Sequence, residues 1–441
     1  FNMDRLHTYQ NNVEYRKNRT VESLGKVYKC HYPYQPMETA RGAKKSAIYD
    51  RLKDTGAYFK EVSGWEGADW FAPEGKKAEI ENHSWFKEEW FDHWQAEHKA
   101  ARENVILMDM SFMCKFLVQG RDAGKVLDFI STNEVNGPAG QITYTPWLNE
   151  RGKVEADLTV AKLEEEKFLV VVTDTMYRHA ETWLKRNIPD DAHCFVTDVT
   201  GAFAQINIQG PKSRELMQTV TDADMSNEAF PYRHVEEIGI GYGRATCVRL
   251  TYLGELGYEL FIPTEQALHI YDILVEAGKA FNMTHAGLKA LGSLRMEKGY
   301  RDYGHDIDNT DDPFEVGLGF CVKMEKAGGF IGKEACEKKK AEGPLTRRLA
   351  QVKVLDPEPL LFHAEVITRN GEKAGYVRTG SYCWTLGGAV GLFMIETGDG
   401  NPVDQTYIDE GKWEINIADK IYPAQVSLAP MYDPKNEKIK C

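Results

Sequence analysis

The stretch Arg249-Leu-Thr-Tyr-Leu-Gly-Glu-Leu-Gly-Tyr-Glu-Leu-Phe-Ile262 decides how the chain is read. It predicts two strands joined by a tight turn, with Val248, Leu250 and Tyr252 alternating on the way in and Glu259 and Phe261 on the way out. Gly254 and Gly257 bracket the bend, where a residue without Cβ takes a positive φ at little cost. With Gly254 to Gly257 as a four-residue loop, Tyr252 stands opposite Glu259 and both project from one face. A carboxylate on an otherwise apolar face is costly without a partner. Glu259 is therefore a candidate for gripping a group that offers paired N–H donors.

Outward from this hairpin the pattern is α+β and mostly antiparallel. Residues 4–24 read as a helix with Gly25 as its C-terminal stop, 46–55 as a short helix, and 88–103 as a longer one. Residues 106–119 and 141–172 alternate in strand fashion, with Asn149-Glu-Arg-Gly152 supplying a turn. Residues 204–208 form a further strand, after which Gln209-Gly-Pro211 opens a helix. Thr264 reads as the N-cap of a helix running to about Gly278, and 287–299 as another helix. From Leu349 onward short strands with Gly/Asn turns mark a separate β-rich module.

Size and charge narrow the function classes. A chain of 441 residues implies two or three domains. A formal net charge of -13 leaves no basic stripe for neutralising phosphates, which argues against nucleic acid. The eight cysteines show no CxxC and no paired spacing, so they read as reduced thiols rather than a disulfide framework or a zinc site. No apolar run approaches the ~18 residues of a membrane span. The first residue is Phe1 rather than Met, which reads as a processed or trimmed product.

Three positions could carry chemistry. The nearest glycine cluster, Ile238-Gly-Ile-Gly-Tyr-Gly-Arg244, is GxGxG leading into a strand, not the dinucleotide fingerprint. Asp157 interrupts a strand whose neighbours Val154, Leu158 and Val160 look buried. It is either an Asp satisfied by backbone N–H groups or a polarising, proton-shuttling carboxylate in a cleft. Arg295 and Glu297 on the late helix read by default as a surface pair, and Tyr252 alone as a core aromatic.

Taken in order, Tyr144–Val160, the Tyr252–Glu259 hairpin, Ser293-Leu-Arg-Met-Glu-Lys-Gly-Tyr300 and Phe330-Ile-Gly-Lys-Glu334 resemble the folate-binding aminomethyltransferase family, which includes the glycine-cleavage T-protein. The leader motifs Ala40-Arg-Gly42, Trp70-Phe-Ala-Pro73 and Met108-Asp-Met-Ser-Phe112 resemble the C-terminal half of sarcosine and dimethylglycine dehydrogenases. Asp224-Met-Ser-Asn-Glu-Ala-Phe-Pro231 and Tyr432-Asp-Pro-Lys-Asn436 look nearest to sarcosine dehydrogenase. The resemblance implies a three-subdomain cloverleaf of mostly antiparallel sheets with flanking helices, plus a C-terminal β-barrel-like module. It implies a helical leader over 1–45 belonging to a flavin half, a connecting segment over 46–100, a folate-binding domain over 101–345 and a barrel over 346–441.

It also implies tetrahydrofolate as cofactor, with Asp157 as the catalytic carboxylate beside the folate N5 and N10, and Tyr252, Glu259, Val171 and Arg295 lining the folate. The implied activity is capture of the iminium or formaldehyde from oxidative N-demethylation of sarcosine or dimethylglycine as 5,10-methylenetetrahydrofolate. FAD then comes only from a separate segment or subunit, a possible flavin-bearing partner. The expected partners are otherwise a small-molecule substrate, without nucleic acid, membrane or metal. The implied setting is a mitochondrial matrix, or the cytoplasm in a bacterium. Two alternatives share the architecture: a non-catalytic regulatory subunit like that of pyruvate dehydrogenase phosphatase, and a folate-dependent demethylase of another methylated substrate. Trp90-Phe-Asp92 and Gly411-Lys-Trp-Glu-Ile-Asn-Ile417 resemble the regulator.

Overall fold

Apolar residues recurring every second position along two groups of strands build two antiparallel sheets that meet face to face. The computed structural model describes residues 7–398 and 400–441. One sheet has six strands in the order Val235–Ile240, Gly243–Val248, Gly257–Pro263, Phe203–Gln209, Ile106–Asp109 and Thr284–His285, the last pairing parallel. The other has five, in the order Gln141–Leu148, Val154–Glu164, Lys167–Val172, Cys114–Gln119 and Phe195–Asp198. Ile142, Ala161, Leu169 and Val171 of the second sheet pack with Val235, Val248 and Phe261 of the first in one buried cluster. Alternation then dictates which other side chains face this seam. Asp157 and Thr159 share a face with Ala161, Tyr144 with Ile142, and Gln205, Asn207 and Glu259 with Phe261.

Three larger apolar clusters give three lobes of the expected α+β fold, the C-terminal barrel among them. The six-stranded sheet is backed by the helices Ser213–Val220 and Ala267–Gly278. The five-stranded sheet is backed by Ala123–Ile130 and Tyr177–Arg186. Residues 347–427 close a six-stranded barrel, whose core joins Trp90–Glu103 and Leu288–Glu297. The Asn149–Gly152 turn forms as read, with Gly152 at a φ of 73°. All eight cysteines are free, and only Cys30 and Cys441 are exposed. No helix among the described residues is long and apolar enough to cross a membrane.

Several local readings are corrected. The opening hairpin is not a ladder to its tip. Val248, not Tyr252, is the residue opposite Glu259, and residues 249–256 leave the sheet. The Thr251 hydroxyl causes this by accepting from the N–H groups of Leu253 at 3.1 Å and Gly254 at 3.2 Å, a local turn that competes with strand pairing. Gly254 has a φ of 82°, and a Cβ there would lie 2.3 Å from the Lys298 side chain. The expected strand 106–119 splits instead between the two sheets, because the Asp109 carboxylate accepts from the Ser111 N–H at 3.0 Å and turns the chain.

The leader helix starts at Val13, since Asn12 caps it by accepting from Glu14 N and Tyr15 N, and it runs through Gly25 to Lys26. Residues 4–6 of that expectation lie outside the described residues. Thr264 caps nothing: its hydroxyl donates to Gly201 O at 2.9 Å. Arg295 and Glu297 are both buried and do not pair with each other.

Glu297 accepts instead from Arg102 at 2.7 Å and from the Thr385 and Leu386 N–H groups at 2.9 and 3.3 Å, with His98 Nε2 3.3 Å away. Burial alone would raise its carboxyl, but the His98 hydrogen bond and the charges of His98 and Arg102 outweigh it and hold the pKa at about 2. Stability from this carboxylate is complete above the ordinary Glu range of about 4.3 and is lost as pH falls towards 2. Glu297→Ala, which leaves Arg102 with Glu255 alone as its carboxylate partner and the Thr385 and Leu386 N–H groups without their acceptor, is expected to cost ~3–5 kcal/mol in urea unfolding at pH 7. A cost below ~1 kcal/mol, the scale of an exposed pair, would contradict the network's structural role.

Candidate active site

The seam between the sheets is apolar at its centre and polar on both flanks. On the five-stranded side, Asp157 lies opposite Pro146, and Tyr144 lies opposite Thr159. That diagonal lets the Tyr144 hydroxyl donate to Asp157 Oδ2 at 2.8 Å. Burial pushes the Asp157 carboxyl up to about 7; the Tyr144 hydrogen bond opposes this, while the charges of Asp302 and Asp306 add to it.

The same acidic pair gathers two more predicted residues. Arg295 donates to Tyr300 O at 3.0 Å and pairs with Asp306, which also accepts from Asp302 N at 2.8 Å. Tyr252 donates to Arg301 O at 2.7 Å and stacks on Tyr300 with ring centres 5.9 Å apart. Arg295, Asp302, Asp306 and Asp157 are the charges its hydroxyl feels. Arg295 therefore shapes the segment 300–306 that carries these groups.

On the six-stranded side, Glu259 is buried with only long amide contacts, 3.3 Å from Gln205 Nε2 and 3.4 Å from Asn207 Nδ2. Burial raises its pKa to about 7, against the Asn207 contact and the charge of Lys115. Gln205 Oε1 beside it is buried without a hydrogen-bond partner. An acceptor-rich, under-satisfied wall of this kind fits a ligand edge made of N–H donors.

Val171 lies in register between Lys115 and Thr159 of its own sheet and belongs to the apolar cluster shared with Val248 and Phe261 of the other. Lys115 is fully buried, donates to Ser111 O at 3.0 Å and Met113 O at 2.7 Å, and is pushed down to about 8 by desolvation.

The structure thus brings Asp157, Tyr252 and Arg295 into one cluster, and sets Glu259 and Val171 along the same seam. Sequence reasoning missed Tyr144, Arg301, Lys115 and Gln205. Arg301 is held by Val316 O at 2.8 Å and Gly299 O at 2.6 Å, and its charge is felt at both Tyr144 and Asp157. Gly317 leaves room for it, since a Cβ there would lie 2.4 Å from Arg301 Nη2.

The GCVT N-terminal domain matches residues 48–326, and the glycine cleavage T-protein C-terminal barrel domain matches residues 347–433. The chain belongs to this aminomethyltransferase-type family. Residues 1–46 match the FAD dependent oxidoreductase central domain. Among relatives, 4-methylaminobutanoate oxidase (formaldehyde-forming) of Paenarthrobacter nicotinovorans is 39% identical over 99% of this chain and 52% of that protein. Mitochondrial sarcosine dehydrogenase of Mus musculus is 30% identical over 98% of this chain and 51% of that protein. The mitochondrial pyruvate dehydrogenase phosphatase regulatory subunit of Mus musculus is 31% identical over 97% and 50%. The chain spans about half the length of these three relatives. The crystal structure of glycine cleavage system aminomethyltransferase T from Bartonella henselae shares the fold, with a TM-score of 0.73 at 22% identity over 89% of this chain and 99% of that one.

Tyr144→Phe removes the hydrogen bond that holds Asp157 down, so its titration midpoint is expected to move above about 7. Carboxyl-carbon NMR across pH 5 to 9 reads this directly. A midpoint that stays or falls would detach Tyr144 from the control of Asp157.

Proposed function

We propose that this chain is the tetrahydrofolate-binding, one-carbon-transfer module of an enzyme that oxidises N-methylated amino acids. The observation that carries the reading is the buried, under-satisfied Glu259 with the unpartnered Gln205 Oε1 beside it. A tetrahydropterin presents a ring N–H next to an exocyclic amino group, and a carboxylate accepts such a pair in bidentate fashion. Glu259 takes that pair, Gln205 offers a further acceptor, and Tyr252 with Tyr300 forms an aromatic wall. Val171 belongs to the apolar seam between the two sheets, and Arg295 fixes the segment that closes the far side.

When bound, tetrahydrofolate supplies the nitrogen nucleophiles that trap formaldehyde or an iminium, and it leaves as 5,10-methylenetetrahydrofolate. Asp157 is the group of this chain that moves protons. With its pKa at about 7, it is populated in both forms near neutrality, the condition for a general acid–base. Tyr144 orients it by a hydrogen bond to Oδ2.

A flavin-bearing segment or subunit supplies the oxidation, in keeping with the match over residues 1–46 and with relatives about twice as long. The substrate class is a secondary or tertiary N-methyl amino acid such as sarcosine, dimethylglycine or 4-methylaminobutanoate, and the relatives' names support the class rather than one member. The setting is a mitochondrial matrix or a bacterial cytoplasm; relatives of both origins support it. The regulator reading draws on the phosphatase regulatory subunit, of comparable identity. The under-satisfied acceptors of Glu259 and Gln205 weigh against it.

Tetrahydrofolate is expected to raise the melting temperature of this chain, more at pH 8 than at pH 6, because Glu259 grips the donor pair only when ionised. Glu259→Ala should lose most of that shift, on the order of 2–5 kcal/mol of binding. No shift in wild type at millimolar tetrahydrofolate would favour the regulator. Asp157→Asn is expected to bind tetrahydrofolate nearly as wild type but to trap formaldehyde at least tenfold more slowly in stopped-flow. Equal trapping rates would remove Asp157 from the chemistry.

A further inference from the structure

The leader helix Val13–Lys26 is amphipathic in the wrong sense for a surface helix. Its polar side faces the protein. Arg19 pairs with Glu61, Glu22 accepts from the N–H groups of Glu38 and Thr39 at 2.8 Å each, and Tyr15 meets Tyr9 edge-on at 4.9 Å. Its apolar side faces solvent: Val13 is 70%, Val21 65%, Leu24 68% and Val27 52% exposed, and Tyr28 just beyond is 100% exposed. At 3.6 residues per turn these five fall within about 120° of arc along roughly 20 Å, and only Lys17 and Thr20 share that arc. Single exposed apolar residues need no explanation, but a continuous stripe of them marks an interaction surface.

What covers the stripe follows from where it lies. Residues 1–46, which hold this helix, match the FAD dependent oxidoreductase central domain. The helix is fastened by Arg19 to Glu61 of the strand Ala57–Val62 and by Glu22 and Tyr15 to other residues of the same leader, and is apolar on its outer side. We propose that the Val13–Tyr28 stripe is the face on which an FAD-dependent oxidoreductase domain docks. This rests on the reading that a flavin-bearing body acts with this chain, and it adds the surface through which the two meet.

The test joins the half of the Paenarthrobacter nicotinovorans oxidase that this chain does not match ahead of residue 1, as one FAD-loaded polypeptide. In a background of Cys30→Ser and Cys441→Ser, which removes the two exposed thiols, Leu24→Cys is labelled with a maleimide. Labelling should be at least tenfold slower in the joined polypeptide than in the chain alone. Val21→Glu with Leu24→Glu should lower the melting temperature of the joined polypeptide and leave that of the chain alone unchanged.

Equal labelling rates in an FAD-loaded polypeptide would overturn the proposal. So would failure of the joined half to take up FAD. A concentration-dependent dimer of the chain alone that the double variant dissolves would assign the stripe to a second copy, and would overturn it too. The tetrahydrofolate melting shift of the same variants separates the two readings: retained with equal labelling, only the docking face fails; absent in wild type, the folate reading fails.

Discussion

The arrangement of the site depends on one buried ionic network. Glu297 at the end of the helix Leu288–Glu297 meets Arg102 of the helix Trp90–Glu103, and Arg102 in turn reaches Glu255 at 3.0 Å and Leu253 O at 2.8 Å. Tyr432 closes the far end by donating to Glu255 at 2.5 Å, with the Arg102 guanidinium 4.0 Å from its ring centre. Each link belongs to a different part of the molecule: the barrel turn, the central helices, the loop that left the six-stranded sheet, and the C-terminal tail. Desolvating so many charges is costly, and it is offset only when every lone pair finds a donor. The loop carrying Tyr252 is therefore fixed by charge pairing rather than by strand pairing. The same helix carries Arg295, two residues before Glu297, so the network and the acidic cluster at the site share one rigid element.

Much of this was legible in the sequence, and for stated reasons. Asp157 and Glu259 stood out because a carboxylate in a half-buried strand demands an explanation, and burial does raise both pKa values. The barrel followed from short strands separated by Gly/Asn turns. What failed is equally physical. Glycine spacing suggested a four-residue hairpin loop, but a hydroxyl one residue before Tyr252 offered the backbone a competing turn. Tyr144 was not legible: continued from the Asn149–Gly152 turn, the pairing of Leu148 with Val154 would set Tyr144 opposite Leu158 and on the other face from Asp157, and only the register shift between Trp147 and Leu148 makes the two diagonal neighbours. Lys115 and Gln205 carried a weak signal, alternation of polar with apolar residues in strands read only as strands. Arg295 was visible as a residue, but its partner Asp306 lies in a segment without periodic pattern.

The two site carboxylates weaken the fold they sit in. Their folded-state pKa values near 7 exceed unfolded values of about 4, so the native state holds more protons than the unfolded chain between those limits. Stability contributed at these positions therefore falls as pH rises from about 4 through 7. Glu297 has the opposite sign, its carboxyl held at about 2 by surrounding donors. The contrast separates two uses of a buried acid within one molecule. Where the donors are complete, the carboxylate joins parts together. Where they are left incomplete, it stores unsatisfied capacity for a ligand.

Asp157 and Glu259 reach nearly the same pKa through different surroundings, and that difference favours different roles. Glu259 is buried beside a cationic lysine and two amide side chains, which lower its pKa or satisfy it partly. A ligand that brings donors completes that set and leaves the carboxylate ionised, which suits recognition. Asp157 is buried beside two further acids and a single phenol, with the Arg301 guanidinium as the cation it feels. Any positive charge arriving there relieves the repulsion and lowers its pKa, while loss of that charge raises it again. Proton affinity that rises and falls with the charge of a passing group is what an acid–base residue needs, and the two sheets keep it apart from the gripping carboxylate.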